Sequence, residues 1–586
     1  MSNPNESLNN LRHSVAHLLA AAVMELWPDT KRTIGPAIDD GFYFDFEFKK
    51  PISEADFPAI EKKMRELLPS WKNFERHELS AEEAKKEYPH NEYKHELIEQ
   101  FSGEGQTLTF YKSGDYWDLC RGGHCEQPDK EMQHFKLLSV AGAYWRGDEN
   151  NKMLTRIYGT AFAAAEELQH YLDMQEEAKK RDHRKIGKEL DLFVFSELVG
   201  SGLPLFTPRG TIIRRELESY IGNLREDQGF QKVWIPHIAK TDLYKTSGHW
   251  DKFEDDLFHV KSKKTESGFV LKPMNCPHHA QIFAAGKRSY REMPVRYAET
   301  TTIYRDENTG QLQGLTRVRS ITQDDSHVFC RVDQIQQEFD IAYGLITTLY
   351  QTIGMDLKVR LSTHDPKQPE KYLGSPEVWG RMENELQAML KAKGREFEVG
   401  EGEAAFYGPK LDFMGVDSLG REWQLATIQV DFNQPERFQL AFTNEKNEDE
   451  RPVMIHVAVM GSTERFMGVL IEHYAGNFPV WLSPVQVVLL PVSDTFNEAA
   501  QKLAAQWKQL GVRVEVDTNA ETLGNKIRKA SALKVPYQIA FGQKEADGAD
   551  LQIRVRGQEK QVMISTDKFQ TSLQKIISQR LIDLSL

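Results

Sequence analysis

Three groups of residues in this 586-residue chain have types and spacings that could do chemistry. The first is Lys272-Pro273-Met274-Asn275-Cys276-Pro277-His278-His279. A thiolate beside imidazoles suits Zn²⁺. No second cysteine follows within two to four residues, so any partners of Cys276 come from distant parts of the chain. Such scattered ligation is the pattern of a working site. The alternative is a buried free thiol packing as a small hydrophobe. The second group is His13-Ser14-Val15-Ala16-His17 with Cys120-Arg121-Gly122-Gly123-His124. His-x3-His plus Cys-x3-His is a four-ligand set of zinc type. It is equally a metal-free pocket in which imidazoles position a water for hydrolysis. A third reading leaves His13 and His17 at a helix edge. The third group is Tyr304-Arg305-Asp306-Glu307, a polar loop through Gly310 and Gly314, and a return through Arg317 and Arg319 to His327. Arginine offers a planar fork to phosphate oxygens, and Glu307 is an acceptor for an exocyclic amine. The bland alternative is a hairpin with surface ion pairs.

The elements that must position these groups follow from pattern. Ser7 to Trp27 reads as an amphipathic helix ended by Pro28, with His13 and His17 on one face. Gly41-Phe42-Tyr43-Phe44-Asp45-Phe46-Glu47-Phe48 alternates as a strand. Ala163 to about Lys188 reads as one long helix carrying the charge run Lys179-Lys180-Arg181-Asp182-His183-Arg184-Lys185. That run is a solvated face by default, or a place to meet phosphate. A helix over 211–227 precedes an apolar strand over 229–236 closed by Pro236. A turn feeding a strand is expected over 403–412, a strand over 423–432, and a strand, turn and helix over 454–466. Beyond Pro484, strands over 485–490, 512–516, 535–541 and 551–555 alternate with helices over 495–510, 523–533 and 567–584. This is a small α/β domain with a mixed sheet.

Bulk properties bound the class. At ~100–200 residues per domain the length implies three or four domains. With 40% hydrophobic and 27% charged residues the chain can bury several cores. A net charge of −13 argues against a basic coat for nucleic acid, although local patches decide RNA binding. Four cysteines fit a reducing cytosol better than a disulfide framework. Neither a signal peptide nor a run of about 18 apolar residues is read, so no membrane is expected.

The His13–His17 and Cys120–His124 pair resembles the editing domain of threonyl- and alanyl-tRNA synthetases. Ala141-Gly142-Ala143-Tyr144-Trp145-Arg146-Gly147-Asp148 and Arg156-Ile157-Tyr158-Gly159-Thr160-Ala161 narrow the resemblance to the bacterial threonyl type. Residues 229–236, 304–327 and 454–466 resemble class II motifs 1, 2 and 3. The resemblance covers nearly the whole chain. It implies an α+β multidomain fold: an α+β editing domain (1–162), a linker helix (163–188), a class II antiparallel-sheet catalytic domain (189–480) and an α/β anticodon-binding domain (481–586). Many bacterial members carry a ubiquitin-like domain ahead of the editing domain; this sequence opens almost directly on the His-x3-His helix, so none is expected in it.

The resemblance also implies roles. The enzyme would activate L-threonine with ATP, pass it to tRNA(Thr) and hydrolyse seryl-tRNA(Thr). Arg305 would meet the α-phosphate, Glu307 the adenine, Arg317 the outer phosphates and Arg465 the ATP, with Mg²⁺ sharing the charge. Tyr407, Gln424 and Gln429 match substrate or ATP contacts, and Gln323, Asp325 and His249 (in Ser247-Gly248-His249-Trp250) belong with the catalytic set. One Zn²⁺ per subunit would sit on Cys276, His327 and His456, with threonine's amine and hydroxyl filling the open position and Asp325 bonding one of them. Editing would use His13, His17, Lys94, Asp118, Cys120 and His124, and anticodon bases would meet Arg528, Glu545 and Arg554. The motif 1 region implies a homodimer, and the family is cytoplasmic. The two sites explain each other. A hydrophobic pocket separates threonine from its isostere valine only ~10²-fold, whereas a demand for the hydroxyl rejects valine; serine satisfies that demand and lacks one methyl, worth ~1–3 kcal/mol, so a second sieve is needed.

Departures are Phe44 where the family often has Tyr, Gly123 for Pro, which would loosen the turn, Ser320-Ile321 for Gly-Phe and Leu425-Ala426 for Cys-Gly. Ser320, Ile321 and Leu425 are the support for a rival, a paralogue that binds ligand without aminoacylating. A second rival is a protein whose main task is hydrolysing mischarged tRNA.

Overall fold

Leu11, Val15, Leu18, Leu19 and Val23 recur at helical spacing and are buried, which makes Pro4–Leu26 an amphipathic helix, α1. In the computed structural model, which describes residues 4–148 and 150–586, the chain forms two units, Met1–Glu176 and Glu177–Leu586. In the first, α1 packs on an antiparallel sheet built around β1 (Gly41–Glu47). Phe42, Phe44 and Phe46 point into the core by strand alternation, while Asp45 on the other face takes both fork nitrogens of Arg156 at 2.7 and 2.8 Å. A second sheet holds β2 (Thr109–Ser113) and β3 (Tyr116–Leu119), and β3 delivers Asp118 and Cys120 toward α1. The main sheet is completed by β4 (His134–Tyr144) and β5 (Met153–Phe162), the latter between β1 and β4.

The expected single linker helix over 163–188 is instead two, α2 (Ala165–Arg181) and α3 (His183–Glu189). Asp182 breaks it: its backbone leaves the helical region (φ −47°, ψ 121°) and its carboxylate caps Arg184 N–H at 2.8 Å. The charge run is therefore not one solvated face. Arg181 reaches Ser418 Oγ at 2.7 Å and His183 is buried.

The second unit contains α4 (Pro208–Asp227) and an eight-stranded sheet. Its strands are β6 (Gln231–Lys232), β7 (Val295–Tyr304), β8 (Ser320–Cys330), β9 (Asp356–Thr363), β10 (Glu398–Glu401), β11 (Lys410–Val416), β12 (Glu422–Asp431) and β13 (Val453–Ala458). They lie in the order β6-β7-β8-β13-β12-β11-β9-β10, antiparallel except for the two edge pairs. The strand expected over 229–236 shrinks to β6. Val233 still donates to Ala298 O, but Ile235 N–H turns to the Glu299 carboxylate at 3.2 Å, ending the ladder, and Trp234 is left 76% exposed. The helix α5 (Thr463–His473) follows β13 and lies over the sheet.

A five-stranded mixed sheet closes the chain: β14 (Val487–Pro491), β15 (Val514–Val516), β16 (Tyr537–Phe541), β17 (Leu551–Val555) and β18 (Val562–Ile564). The last helix, Thr566–Ser578, stops short of the expected 584. Arg580 enters a left-handed conformation (φ 53°) and stacks on Tyr220, 3.9 Å from the ring centre, and Leu584 O accepts from Tyr537 Oη, so the tail folds back.

Candidate functional site

Strand alternation puts Ile321, Gln323, Asp325 and His327 on one face of β8, in a row. Antiparallel register sets His327 directly opposite His456 on β13, and His456 opposite Gln429 on β12. Cys276 opens a buried helix, Cys276–Ala284. The ligand atoms of Cys276, His327 and His456 lie within 4.8 Å of one another. His327 Nε2 and His456 Nδ1 face each other at 3.1 Å. Their outer nitrogens are occupied: His279 Nδ1 stands 2.8 Å from His327 Nδ1, and the Asp431 carboxylate takes His456 Nε2 at 3.0 Å. Outer partners of this kind aim imidazoles at a metal. The donor set, one sulfur and two nitrogens, all buried, fits a zinc ion. Asp325 accepts from Asn275 Nδ2 at 3.1 Å and lies 3.6 Å from His327 Nε2. His279 belongs to the stretch singled out in the sequence, as a neighbour of the ligands and not one of them, whereas Asn275 and Asp431 had no assigned part there; Asp431 had a usable signal, two positions beyond Gln429 on the same strand face.

His249 is fully buried beside this cluster, its Nε2 3.8 Å from Cys276 Sγ. Ser247 Oγ donates to Tyr244 O at 3.1 Å, so its oxygen accepts from His249 Nδ1–H at 2.8 Å, leaving Nε2 unprotonated. Burial, with His456, Arg305 and Arg437 nearby, pulls the His249 imidazole down to about 3. Tyr407 is buried with its ring 5.2 Å from His456. Gln429 donates to Gly408 O at 3.0 Å, and Gln424 to Asp412 Oδ1 at 2.6 Å. Asp412 also gathers Lys410 at 2.5 Å and Ser362 at 2.8 Å, a junction that sequence reading passed over.

At the other end of the row the arginines converge. Burial lowers the Arg465 pKa, and Arg305 and Arg317 nearby lower it further. Such mutual repulsion is what an anion would relieve. Arg305 Nη2 contacts Met274 Sδ at 3.5 Å. Glu307 holds Arg317 at 2.7 Å, and its carbonyl oxygen accepts both Arg319 fork nitrogens. Asp324, on the opposite face of β8 and fully buried, was missed: its carboxylate accepts Val459, Met460 and Gly461 N–H at 2.8–3.2 Å, fixing the turn that presents Arg465.

In the first unit, His13, His17, Cys120 and His124 do come together, with ligand atoms within 4.8 Å. His13, His17 and Cys120 border a cavity of about 480 Å³ that Phe44, Lys94 and Asp118 also line. His13 Nδ1 donates to Gly35 O at 3.2 Å. Its Nε2 therefore faces inward as an acceptor, 3.1 Å from Cys120 Sγ and 3.3 Å from His17 Nε2. Burial pushes the Cys120 thiol up to about 11 and His124 down to about 3. Burial opposes ionisation of Asp118, but Lys94 and Arg32 beside it win and hold its carboxyl well below the usual range. Asp118 accepts from Lys94 (2.9 Å), Tyr88 Oη (2.6 Å) and Tyr116 Oη (2.8 Å), so this carboxylate is engaged by protein rather than presented to water. Gly123 does not merely loosen its turn. It sits at φ 82°, a left-handed conformation closed to proline.

These buried imidazoles set an acid limit. His17 and His327 are held well below 6.5 by burial, and His124 and His249 at about 3. Below pH ~6.5 the unfolded chain takes up protons that the folded chain refuses, so stability rises with pH across roughly 3–6.5 and falls on acidification, by about 1.4 kcal/mol per pH unit for each such group. For apo protein, denaturation midpoints should decline steadily from pH 6.5 to 5; a flat profile there would contradict this.

The three anticodon candidates make local contacts. Arg528 bonds Asn525 at 2.8 Å, Glu545 caps a short helix through Gly542 N–H at 2.9 Å, and Arg554 lies on β17 opposite Gln538. Among the described residues no hydrogen bond or ion pair joins them.

Residues 258–474 match the tRNA synthetase class II core domain (G, H, P, S and T), 486–576 an anticodon binding domain, and 108–158 the threonyl and alanyl tRNA synthetase second additional domain. A threonine–tRNA ligase from Rubrobacter xylanophilus is 49% identical over 557 residues, 95% of this chain and 86% of that one. One from Thermus thermophilus is 47% identical over 92% and 84%. Among solved structures, the RNA binding domain of threonyl-tRNA synthetase from Cryptosporidium parvum superposes with a TM-score of 0.65 at 36% identity, covering 67% of this chain and 98% of that one. With the core, anticodon-binding and second additional domains in one chain and near-half identity over almost its whole length, this protein belongs to the threonine–tRNA ligases, class II aminoacyl-tRNA synthetases.

Proposed function

We propose that the chain activates L-threonine with ATP, transfers it to tRNA(Thr) and hydrolyses seryl-tRNA(Thr). The observation that carries this reading is the row on β8: an arginine cluster at one end, Cys276, His327 and His456 at the other, and Gln323 and Asp325 between. Arg305, Arg317 and Arg465 bind the triphosphate of MgATP, with Ile321 as apolar floor and Glu307 toward the adenine. The threonine carboxylate attacks the α-phosphorus and pyrophosphate leaves. Gln323 and Arg305 hold the phosphate oxygens during that displacement. Cys276, His327 and His456 would hold zinc, which when bound would supply Lewis acidity that favours an amino acid bearing a side-chain hydroxyl over valine. Asp325, Tyr407, Gln424 and Gln429 orient the amino acid. The ribose hydroxyl then attacks the activated carbonyl and AMP leaves, with neutral His249 accepting the hydroxyl proton. In the hydrolytic pocket His13 Nε2 takes a proton from water as the water oxygen attacks the ester carbonyl, and returns it to the ribose oxygen as the acyl–oxygen bond breaks and serine leaves; His17, Cys120 and His124 confine the ester, and Lys94 and Asp118 hold the pocket's wall.

The domain boundaries we assign are 1–162, 163–188, 189–480 and 481–586. Exposed Trp234 and Ile238 beside β6 are what a homodimer contact through that region would cover. Arg528, Glu545 and Arg554 are assigned to anticodon bases. No helix among the described residues is long and apolar enough to cross a membrane, and the four cysteines are free thiols, which supports a cytoplasmic site. Zinc-replete protein should catalyse ATP–pyrophosphate exchange with threonine, with weaker serine turnover and valine lower still; absence of threonine-dependent exchange would overturn the reading.

A further inference from the structure

The return limb of the arginine loop is gripped from two sides, and one grip comes from the charge run that the proposed chemistry leaves unused. Leu315, fully buried, donates its backbone N–H to His183 Nε2 at 2.9 Å. An Nε2 that accepts has no proton, so the proton is on Nδ1, and Nδ1–H donates to Glu472 Oε1 at 2.6 Å. The same oxygen accepts His183 N–H at 3.0 Å, and the other Glu472 oxygen takes Arg421 at 2.5 Å. On the second side, Arg465 Nε donates to Thr316 O at 3.0 Å. Arg465, Gly468 and Glu472 are spaced three and four apart, so they share one face of α5. A Cβ on Gly468 would meet Leu315 Cβ at 3.3 Å, so the loop lies directly on that face. Gly314, at φ 48°, also has no room for a side chain: a Cβ there would stand 2.2 Å from His183 Nε2.

We infer that His183, reading the backbone of Leu315 from the start of α3, is a positioning residue for ATP: it sets segment 313–317 on α5 and so fixes where Arg317 and Arg465 stand. The inference rests on the functional reading above for what those arginines bind. His183 touches no reacting atom. Its ring is a strut with a defined tautomer, Glu472 holding the proton on the far side so that the near nitrogen accepts. Removing the ring strands a buried N–H, and the least costly relief is for the loop to move off α5 and find water.

The test uses the full chain. In threonine-dependent ATP–pyrophosphate exchange, His183→Ala should raise KM for ATP about ten-fold or more, with KM for threonine within about two-fold of wild type. His183→Gln, whose amide oxygen reaches toward the place of Nε2, should recover most of the loss. Amide hydrogen exchange over 313–317 should quicken in His183→Ala and slow again in His183→Gln. If the alanine variant does not fold, Glu472→Gln carries the test. It leaves one carbonyl oxygen for the donors of His183 and Arg421, and should give the same ATP-selective effect at smaller size. KM for ATP and threonine rising together, a glutamine variant no better than alanine, or unchanged 313–317 exchange would each overturn the inference. Wild-type exchange is run alongside: its absence is failure of the functional reading, and the strut is then judged from the amide exchange alone.

Discussion

Cys276→Ser is expected to empty the metal site and reduce threonine-dependent ATP–pyrophosphate exchange by at least ~100-fold, while hydrolysis of seryl-tRNA(Thr) is unchanged. Serine keeps the size of cysteine and replaces a soft thiolate by a poor ligand. Losing one of three protein donors is more severe than losing an outer partner, which alone costs about 10–100-fold in metal affinity. The readout independent of activity is metal per chain, expected to fall by about one equivalent. Any metal that stays would belong to one of the two further clusters with suitable ligand spacing among the described residues, His13, His17, Cys120 and His124 or Asp182, His183 and Glu472. Asp431→Asn and His279→Ala should show intermediate losses, because each releases the outer nitrogen of one ligand imidazole. Cys330, buried in the hydrophobic core under the sheet, is the control: Cys330→Ala should keep its metal. Hydrolysis survives because every residue of that pocket lies within the unit Met1–Glu176. Full metal content and full exchange in Cys276→Ser would remove the assignment.

His13→Ala should give the reverse pattern: deacylation of seryl-tRNA(Thr) down by ~10²–10⁴, the range for removing a general base, with threonine-dependent exchange at the wild-type level. Seryl-tRNA(Thr) should then accumulate during aminoacylation with serine, since one missing methyl limits first-site discrimination to about 10–200-fold. The geometry names His13 over its neighbours. Gly35 O fixes the proton on Nδ1, so Nε2 keeps its lone pair, at 3.1 Å from Cys120 Sγ and 3.3 Å from His17 Nε2, and His13 lines the cavity. Cys120, kept a neutral thiol by burial, is not expected to act as a nucleophile, and Cys120→Ala should cost less than His13→Ala. A His13→Ala chain with unimpaired deacylation would assign the base elsewhere in the pocket.

The chemistry-bearing residues were legible because each sits in a local pattern. Alternation alone puts Ile321, Gln323, Asp325 and His327 on one strand face, and i, i+4 spacing puts His13 and His17 on one helix face. The resemblance then linked Cys276 to His327 and His456, which no spacing within the chain does. The break at Asp182 was misread because a charge run over 179–185 is compatible with a continuous helix; the cap that ends it depends on one side chain turning back to its own backbone.

What the sequence by itself determined is the order of the candidate residues along the chain and the face each occupies, since faces follow from the periods of helix and strand; the roles given to them are what the resemblance implies. Only the tertiary structure decided which residues hold them in place. His279 behind His327, Asp431 behind His456, Asp324 under the turn of Arg465 and His183 against Leu315 are partners chosen by cross-strand register and by helix packing. A hydrogen bond between residues tens to hundreds of positions apart leaves no local period to read. It exists because the fold brings a donor within 3 Å of an acceptor where neither can reach water, and there an unmade bond would cost more than the pairing.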